Sequence, residues 1–331
     1  MSEPYRVIIT DFITDDLAVE HQVLGELARV EALGALREEE LAGRIEEADA
    51  VMVYHYLGLS RSTIERLRHC KLIVRCGVGF DNVDHAFARQ RGIDVCNVPD
   101  YGTEDVADAA IGLAVSLMRG IPFLNSRLRA GLGPWAYTQA APLQRLRGAT
   151  FGVVGLGRIG TAAALRARAL GLEVVFYDPY KPDGYDKAVG IRRVESLEEL
   201  LAQSLAVSLH CPLTEETHHL IDAAAIARMP RGSYLVNTAR GGVVDTSAIP
   251  GAVASGQLAG AGIDVLETEP PPADDPLIVA WRDPQHPAHH RVIITPHIAF
   301  YSEQGLADMR LKGVQTVRRA LLGQPLRNVV N

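Results

Sequence analysis

The sequence predicts an α/β protein of two domains, each with a parallel sheet covered by helices. Its 331 residues exceed what one hydrophobic core usually supports. Short runs rich in Val and Ile alternate with helical stretches along most of the chain, which is typical of parallel sheets. A glycine-rich strand–turn–helix begins only at residue 151. The residues before it therefore indicate a second α/β domain, one that need not bind a nucleotide.

Composition and charge restrict the classes of function. A net charge of −7 gives no general attraction to nucleic acids or anionic membranes. No apolar stretch approaches the roughly 20 residues that span a bilayer, and the first residues lack the pattern of a secretion signal. We therefore expect neither nucleic-acid nor membrane partners. The cysteines form no CxxC pair, which indicates reduced thiols and a cytoplasmic protein. They are Cys70, Cys76, Cys96 and Cys211.

The elements of the first hundred residues follow from the positions of apolar runs. Helices are predicted at 37–49 and 60–70, the second with a capping box formed by Ser62 and Glu65. Runs rich in Val and Ile that end in polar or turn residues predict strands. These strands lie at 6–12, 50–56, 71–77 and 93–99.

A long helical region follows at 103–130, with two acids in its first turn. Pro122 should break it into two pieces. Because it is apolar on more than one face, it indicates a domain junction or a subunit interface, with a plain core helix as an equal alternative.

Residues 148–299 predict a complete nucleotide-binding half, followed by a helix from Ser302. The segment 270–290 is predicted to be a long Pro-rich loop. Its histidines, like His218 and His219, are interpreted as solvated side chains and not as metal ligands. The strands of this half are predicted at 150–157, 172–179, 205–212, 232–239, 259–266 and 291–297.

The glycine-rich turn indicates a dinucleotide site. Gly155 permits a tight turn, Gly157 lets the backbone approach a pyrophosphate, and Gly160 allows close packing of helix on strand. Amides at the helix start can bind phosphate. Asp178 ends the next strand, where a carboxylate accepts hydrogen bonds from ribose hydroxyls and repels a 2′-phosphate, which favours NAD over NADP. The alternative is a plain strand–turn–helix with glycines for packing.

Polar residues follow three of the predicted strands, and ligands bind at the carboxyl ends of open parallel sheets. Arg240 ends one strand, Asp264 and Glu269 follow another, and His297 ends the last. Hydride transfer to a 2-oxo acid needs a cation for the carboxylate and carbonyl, and a group that exchanges a proton near neutral pH. Histidine suits that exchange, and a neighbouring carboxylate can orient it. Each residue alone also has a structural interpretation; together they indicate a catalytic set.

At these positions the sequence resembles a known family. The segments NTARGG (237–242), Glu269-Pro270 after Asp264, and TPH (295–297) resemble the signature of the D-isomer-specific 2-hydroxyacid dehydrogenases. Stretches such as CGVGFDNVD and HCPLTEETHHLI are most similar to its C-terminal-binding-protein branch. The resemblance implies two Rossmann-like domains. A flavodoxin-like substrate domain would comprise 1–101 plus 300–331, and an inserted NAD-binding domain would comprise 102–299, including the 103–130 helical region.

The resemblance also implies roles for individual residues. His297 would be the general acid/base, Glu269 its hydrogen-bond partner and Arg240 the cation that binds substrate. Asp264 would hold the nicotinamide carboxamide. No metal is implied. The cofactor would further contact Arg158, Ile159, Cys211, Pro212, Thr217, Thr238 and Ala239, and the substrate would contact Arg75, Gly77, Val78, Gly79 and Phe300.

The implied function is that of an NAD(H)-dependent oxidoreductase interconverting a small D-2-hydroxy acid and its 2-oxo acid, in a homodimer. Glu269 argues against formate as substrate, because the formate dehydrogenases of the superfamily carry glutamine there. Phosphite dehydrogenases keep the Arg, Glu and His set, so that alternative stays open. The alternative is a scaffold that resembles the NAD-sensing corepressors of the same branch and binds peptide motifs. Those corepressors have serine and tryptophan where this chain has Val78 and Phe300.

Overall fold

A computed structural model describes residues 3–331, and the chain divides into two compact units. Unit 1 comprises the chain up to Gly102 together with Tyr301–Asn331, and unit 2 comprises Thr103–Phe300. The boundaries between the units, at 102/103 and 300/301, each lie one residue later than the domain boundaries expected from the sequence. The second unit is thus inserted into the first.

Parallel strands and helices alternate along the described residues. The strands are β1 (Tyr5–Ile9), β2 (Ala28–Ala32), β3 (Ala50–Val53), β4 (Leu72–Arg75), β5 (Asp94–Asn97), β6 (Thr150–Val154), β7 (Glu173–Tyr177), β8 (Arg192–Arg193), β9 (Ala206–Leu209), β10 (Ser233–Asn237), β11 (Leu258–Ile263) and β12 (Val292–Ile294). The helices are α1 (Ala18–Leu24), α2 (Arg61–Arg66), α3 (His85–Gln90), α4 (Thr103–Met118), α5 (Ile121–Arg129), α6 (Arg158–Ala169), α7 (Tyr185–Val189), α8 (Leu197–Gln203), α9 (Ala223–Arg228), α10 (Ala248–Ala254), α11 (Pro276–Arg282), α12 (Ala288–Arg291) and α13 (Glu303–Leu321).

Unit 1 has a parallel sheet in the order β2-β1-β3-β4-β5 within the described residues. This is the flavodoxin-like order that the family resemblance implied. All four residues of β3 and of β4 are buried, which suits central strands covered on both faces. The edge strand β2 was not predicted, because its exposed residues give it no continuous apolar run.

Two predictions for unit 1 were wrong. In place of a helix over 37–49 there is a single 3₁₀ turn, Glu38–Leu41. The capping box is absent, because α2 begins after Ser60 and places Ser62 inside the helix. The Ser60 amide donates instead to the Glu38 carboxylate at 2.6 Å, a contact between residues distant in sequence.

The final helix, α13, returns to unit 1 as predicted. Ser302 caps it, since its hydroxyl accepts the Gly305 amide at 2.8 Å. Arg310 on its buried face donates to Glu20 of α1 at 2.6 Å and to Asp15 at 3.0 Å. A buried guanidinium needs paired carboxylates of this kind, so the network fixes the register of α13 on α1.

Unit 2 has a parallel sheet in the order β12-β11-β10-β9-β6-β7-β8 among the described residues. Counted from β6, this contains the 3-2-1-4-5-6 order of doubly wound dinucleotide-binding folds. The strand order reverses between β6 and β9, which pair in parallel. The crevice at their carboxyl ends is therefore the expected ligand site.

The helical region 103–130 is broken in two, as predicted. Gly120, with φ +64°, separates α4 from α5, and Pro122 lies in the first turn of α5, where its missing N–H costs no hydrogen bond. No single helix among the described residues is long and apolar enough to cross a membrane. Helices α4 and α5 reach the required length and apolar character only when they are taken together, and a 63° bend separates them. Helix α4 packs against α6 and β10 as a core helix.

The segment 270–290 was predicted as a loop with solvated histidines, and this was wrong for residues 276–282 and 288–290, which are helical, and for His290. Asp275 caps α11 by accepting the Ile278 amide at 3.0 Å, with Pro276 at the first helical position. The His290 side chain is buried and bonds the Ser126 hydroxyl at 2.8 Å. The two short helices of this segment thus pack on the core of unit 2 through Leu277, Ala280 and Ala288.

Candidate active site

The glycine turn joins β6 to α6 with the geometry that its spacing predicts. Gly155 has φ +86°, and an added Cβ would lie 2.8 Å from the Cys211 amide nitrogen. A Cβ on Gly160 would lie 2.0 Å from the Gly155 carbonyl oxygen. A Cβ on Gly157, by contrast, would meet no atom within 4 Å. Gly155 and Gly160 are therefore required by packing, whereas Gly157 faces open space suited to a pyrophosphate at the start of α6.

Asp178 lies directly after β7 and is buried. Its Oδ2 accepts the Leu156 amide at 2.8 Å and its Oδ1 accepts the Tyr180 amide at 3.0 Å. The carboxylate is thereby fixed next to the glycine turn and keeps acceptor capacity for ribose hydroxyls. The Lys181 ammonium lies 3.9 Å from Oδ2.

The loop after β9 carries the next predicted cofactor residues. The Thr217 hydroxyl donates to the Pro212 carbonyl at 2.6 Å, which closes the loop on itself. Burial lowers the pKa of the preceding His210 to about 4, so its ring is neutral at physiological pH. Thr238 directly follows β10, and its hydroxyl is buried and has no hydrogen-bond partner within residues 3–331. An unpaired buried hydroxyl beside this crevice is consistent with a group that bonds a bound ligand.

The central pair of the site is His297 with Glu269. The His297 Nδ1 lies 2.7 Å from Glu269 Oε2, and the other carboxylate oxygen accepts the Leu266 amide at 2.8 Å. Burial raises the pKa of Glu269, but the hydrogen bond and charge of His297, the Leu266 amide and the nearby Arg240 outweigh it. The pKa of Glu269 is therefore lower than usual, and the carboxylate is ionised when it meets the imidazole.

Asp264 organises the loop that carries His297. Its Oδ1 accepts the Thr295 hydroxyl at 2.6 Å and the Ile298 amide at 2.9 Å, while Oδ2 accepts the Ala299 amide at 3.0 Å. The His297 amide donates to the Asp264 carbonyl at 2.8 Å, and His297 has φ +52°, a left-handed conformation unusual for a non-glycine residue. The sequence did not predict this positioning of His297. Oδ2 accepts one bond among the described residues, and its predicted bond to the nicotinamide carboxamide stays a prediction.

Arg240 is held where β10 ends. The Asn237 side chain donates to the Arg240 carbonyl at 2.9 Å, and the Arg240 guanidinium donates to the Ala239 carbonyl at 2.9 Å. The next residue, Gly241, permits a close approach, since its Cβ would lie 1.9 Å from the Leu266 carbonyl carbon. This contact brings the Arg240 strand end beside the loop of Glu269, within one unit. The Phe300 ring stands edge-on to His297, with 6.2 Å between ring centroids.

The predicted substrate residues of unit 1 follow β4. The Arg75 side chain is buried and donates to the Cys76 carbonyl at 2.8 Å. It folds across Gly77, where a Cβ would lie only 1.5 Å from a guanidinium nitrogen. The Gly77 amide donates to the Arg75 carbonyl at 2.9 Å. Contacts of the Gly77, Val78 and Gly79 amides with a substrate carboxylate stay predictions.

Comparison with known proteins agrees with this geometry. Residues 111–299 match the family described as D-isomer specific 2-hydroxyacid dehydrogenase, NAD binding domain. The chain belongs to this family. Unit 2 is accordingly its NAD-binding domain, and NAD(H) is its cofactor. The open space at Gly157 and the fixed acceptor Asp178 fit that cofactor.

Full-length relatives are similar over most of the chain. The chain is 34% identical over 98% of its length to a D-3-phosphoglycerate dehydrogenase of Methanocaldococcus jannaschii, and 33% identical over 93% to C-terminal-binding protein 1 of Caenorhabditis elegans. It spans 59% and 42% of these two proteins. A D-lactate dehydrogenase of Aquifex aeolicus, solved with NAD and lactic acid, is 31% identical, with a TM-score of 0.84 over 96% of both chains.

Replacing Asp178 with asparagine should weaken discrimination between the two nicotinamide cofactors. The amide keeps the size but loses the charge that repels a 2′-phosphate, and the Lys181 ammonium at 3.9 Å remains to attract one. Loss of charged hydrogen bonds should raise the Kd for NADH about tenfold to a hundredfold, while the Kd for NADPH falls. Fluorescence titration with both cofactors measures this. Asp183→Asn, a fully exposed acid nearby, serves as the control and should change neither value.

Proposed function

We propose that the protein is an NAD(H)-dependent oxidoreductase that interconverts a small D-2-hydroxy acid and its 2-oxo acid. The observation that carries this proposal is the 2.7 Å bond between His297 Nδ1 and an ionised Glu269 on an NAD-binding unit. A histidine fixed through one nitrogen by a carboxylate can exchange a proton through the other. Arg240, whose charge reaches Glu269, supplies the cation that a carboxylate substrate needs.

When bound, NADH supplies the hydride that reduces C2 of the 2-oxo acid. His297 then delivers a proton from Nε2 to the carbonyl oxygen, so that the C2 carbonyl becomes a hydroxyl. Glu269 holds the ring by Nδ1 and stabilises its protonated form before the transfer. Arg240 binds the substrate carboxylate and polarises the carbonyl. In oxidation His297 accepts the hydroxyl proton as the hydride leaves.

The substrate class is proposed from the family and its members. The relatives are named for 3-phosphoglycerate and lactate, and one similar structure is a glyoxylate reductase, 28% identical. The test is NADH oxidation with a panel of 2-oxo acids: glyoxylate, pyruvate, hydroxypyruvate, 2-oxoisocaproate and phenylpyruvate. Turnover of one acid to its D-hydroxy product supports the proposal. Tight NADH binding without turnover of any acid contradicts it.

Replacing Glu269 with glutamine should change the pH dependence of the reduction. The reaction consumes the proton of His297, and the ionised Glu269 carboxylate holds that ring by Nδ1 at 2.7 Å. Removing the charge should therefore lower kcat/KM at neutral pH by about tenfold or more, since hydrogen bonds to charged groups contribute about 1.5–3 kcal/mol, and should remove the acid limb that titration of the Glu269 carboxylate gives. Because the pKa of Glu269 is lowered, kcat/KM of the wild type should stay constant as the pH falls, and it should decrease only when the pH is below the usual pKa of a glutamate. Glu267→Gln, in the same loop, is the control, with all variants measured in chelator-treated buffer. An unchanged profile would contradict the role of Glu269.

A second candidate function is that of a peptide-binding scaffold. One finding favours it: the 33% identity with a C-terminal-binding protein. The Arg240, Glu269 and His297 set does not separate the two candidates, because the resemblance implies that the corepressors keep it. Peptide capture that responds to NADH, in a protein inactive on the whole panel, would support the scaffold.

We also propose a homodimer in the cytoplasm. Large apolar side chains cluster on the segment 121–143 of unit 2, where exposure of Trp135 reaches 89% and of Tyr137 84%. Exposed aromatic side chains concentrated in one segment are typical of an interaction surface. The cysteines are free thiols, three of them buried, in keeping with the reducing compartment expected from the sequence.

A further inference from the structure

Two consecutive histidines and a glutamate meet on the surface of unit 2, outside the catalytic set. His219 Nε2 lies 2.9 Å from Glu267 Oε2, and the His218 ring stacks on the His219 ring with 4.0 Å between centroids. One possible ligand atom from each residue lies within 4.8 Å of the other two. Within residues 3–331 this is the one group of three or more such residues so closely placed.

The backbone brings the two histidine rings to the same side. Consecutive side chains of an extended strand point to opposite faces. His219 has φ +50°, a left-handed conformation that departs from this alternation. Its amide donates to the Gly242 carbonyl at 2.8 Å, and the His218 amide donates to the Thr214 carbonyl at 2.9 Å. Both ends of the histidine pair are therefore tied to the loops of unit 2.

Glu267 reaches the histidines because Gly241 lets its backbone come close. A Cβ on Gly241 would lie 2.4 Å from the Glu267 amide nitrogen, so a larger residue there would push the loop away. The backbones are thus fixed, whereas the side chains stay at least partly exposed: about a third of each member of the His219–Glu267 pair is accessible. The ligand atoms can consequently move without disturbing the fold.

We propose that His218, His219 and Glu267 bind a divalent transition-metal ion such as Zn²⁺ or Co²⁺. Two imidazoles and one carboxylate are a ligand set that these ions prefer, and water can complete a tetrahedron. With metal–ligand bonds of about 2.1 Å, tetrahedral ligand atoms lie about 3.4 Å apart. The three ligand atoms now lie within 4.8 Å of one another, with His219 Nε2 and Glu267 Oε2 at 2.9 Å, so binding requires adjustment of these partly exposed side chains. The sequence predicted no metal site, because the glutamate is distant from the histidines in sequence.

The bound ion would tie the loop after β9 to the loop after β11. Glu267 lies two residues before Glu269. The residue directly before Glu267 is Leu266, and its amide donates to the Glu269 carboxylate at 2.8 Å. The ion would thereby restrain the segment that positions the partner of His297. Because it binds the folded chain, it should also raise the temperature of unfolding, and the rise should follow the logarithm of the ion concentration above Kd.

The test is titration of the untagged, chelator-treated chain with Co²⁺, followed by the visible absorption of tetrahedral cobalt. One ion per chain is expected. His218→Ala and Glu267→Gln should each weaken binding at least about tenfold, since loss of even an outer-shell partner costs that much. The matched control is His69→Ala, which removes another exposed histidine paired with a glutamate, Glu47, at 3.3 Å, and should leave the Kd unchanged.

Two outcomes would overturn the proposal. The first is an unchanged Co²⁺ affinity in His218→Ala and Glu267→Gln. The second is loss of the cobalt spectrum in His297→Asn with retention in His218→Ala, which would place the ion at the catalytic pair. NADH binding by each variant shows that it is folded. Because the readout is spectroscopic, the result is independent of whether the protein turns over any 2-oxo acid.

Discussion

Replacing His297 with asparagine should lower kcat for 2-oxo acid reduction by about 10²–10⁴-fold, the usual contribution of a positioned general acid. Asparagine cannot supply a proton at neutral pH, although its side-chain amide can still meet Glu269. The Kd for NADH should change little, because the glycine turn and Asp178 belong to other elements of unit 2. Stopped-flow measurement of NADH oxidation and fluorescence titration separate the two effects.

The chain offers a matched control for this substitution. His219 is also a partly exposed histidine bonded to a glutamate, with 2.9 Å between His219 Nε2 and Glu267 Oε2. In chelator-treated buffer, His219→Asn should leave kcat within about twofold of wild type, as surface substitutions usually do. Equal losses in both variants would mean that the His297 effect is structural. Full activity of His297→Asn would exclude His297 as the proton donor.

Features that depend on local spacing could be predicted from the sequence. The turn with Gly155, Gly157 and Gly160 is fixed by positions within one strand–turn–helix, and the close approaches of its glycines follow from that geometry. His297 and Glu269 could be grouped because parallel strands end at one edge of a sheet. That rule places side chains near each other without giving their hydrogen bonds.

Features that depend on distant contacts could not be predicted. Asp264 holds the His297 loop through Thr295, Ile298 and Ala299, and nothing in the sequence near Asp264 indicates that its carboxylate turns towards the next strand. The Ser62 capping box failed for a similar reason, since Ser60 is held by Glu38.

One error had a local signal. Asp275 followed by Pro276 is a helix start, with an N-cap acceptor before a residue that needs no N–H partner. The apolar residues Leu277 to Trp281 were interpreted as part of a loop because the segment around them is rich in proline. Burial of Leu277 and Ile278 in the core then stabilises a helix that propensity alone would not.

Replacing Gly160 with alanine should destabilise unit 2 and abolish NADH binding together. The new Cβ would lie 2.0 Å from the Gly155 carbonyl oxygen, and a backbone atom cannot move aside as a flexible side chain can. Overpacking of this kind costs at least about 1–3 kcal/mol of unfolding free energy. In a unit of this size the unfolding temperature should fall by about 2–12 °C, since each kcal/mol corresponds to about 2–4 °C. Circular dichroism during heating measures the fall.

Gly157→Ala, three residues earlier, should separate stability from binding. Its Cβ would meet no atom within 4 Å, and the residue has φ −75°, which alanine adopts readily, so the unfolding temperature should stay near that of wild type. The methyl group would nevertheless occupy the space in which the pyrophosphate approaches the amides of α6. The Kd for NADH should therefore rise at least about tenfold, a loss of about 1.4 kcal/mol. Equal NADH affinity in Gly157→Ala and wild type would show that the cofactor does not lie against this turn, whereas a low unfolding temperature would show that Gly157 is needed for packing.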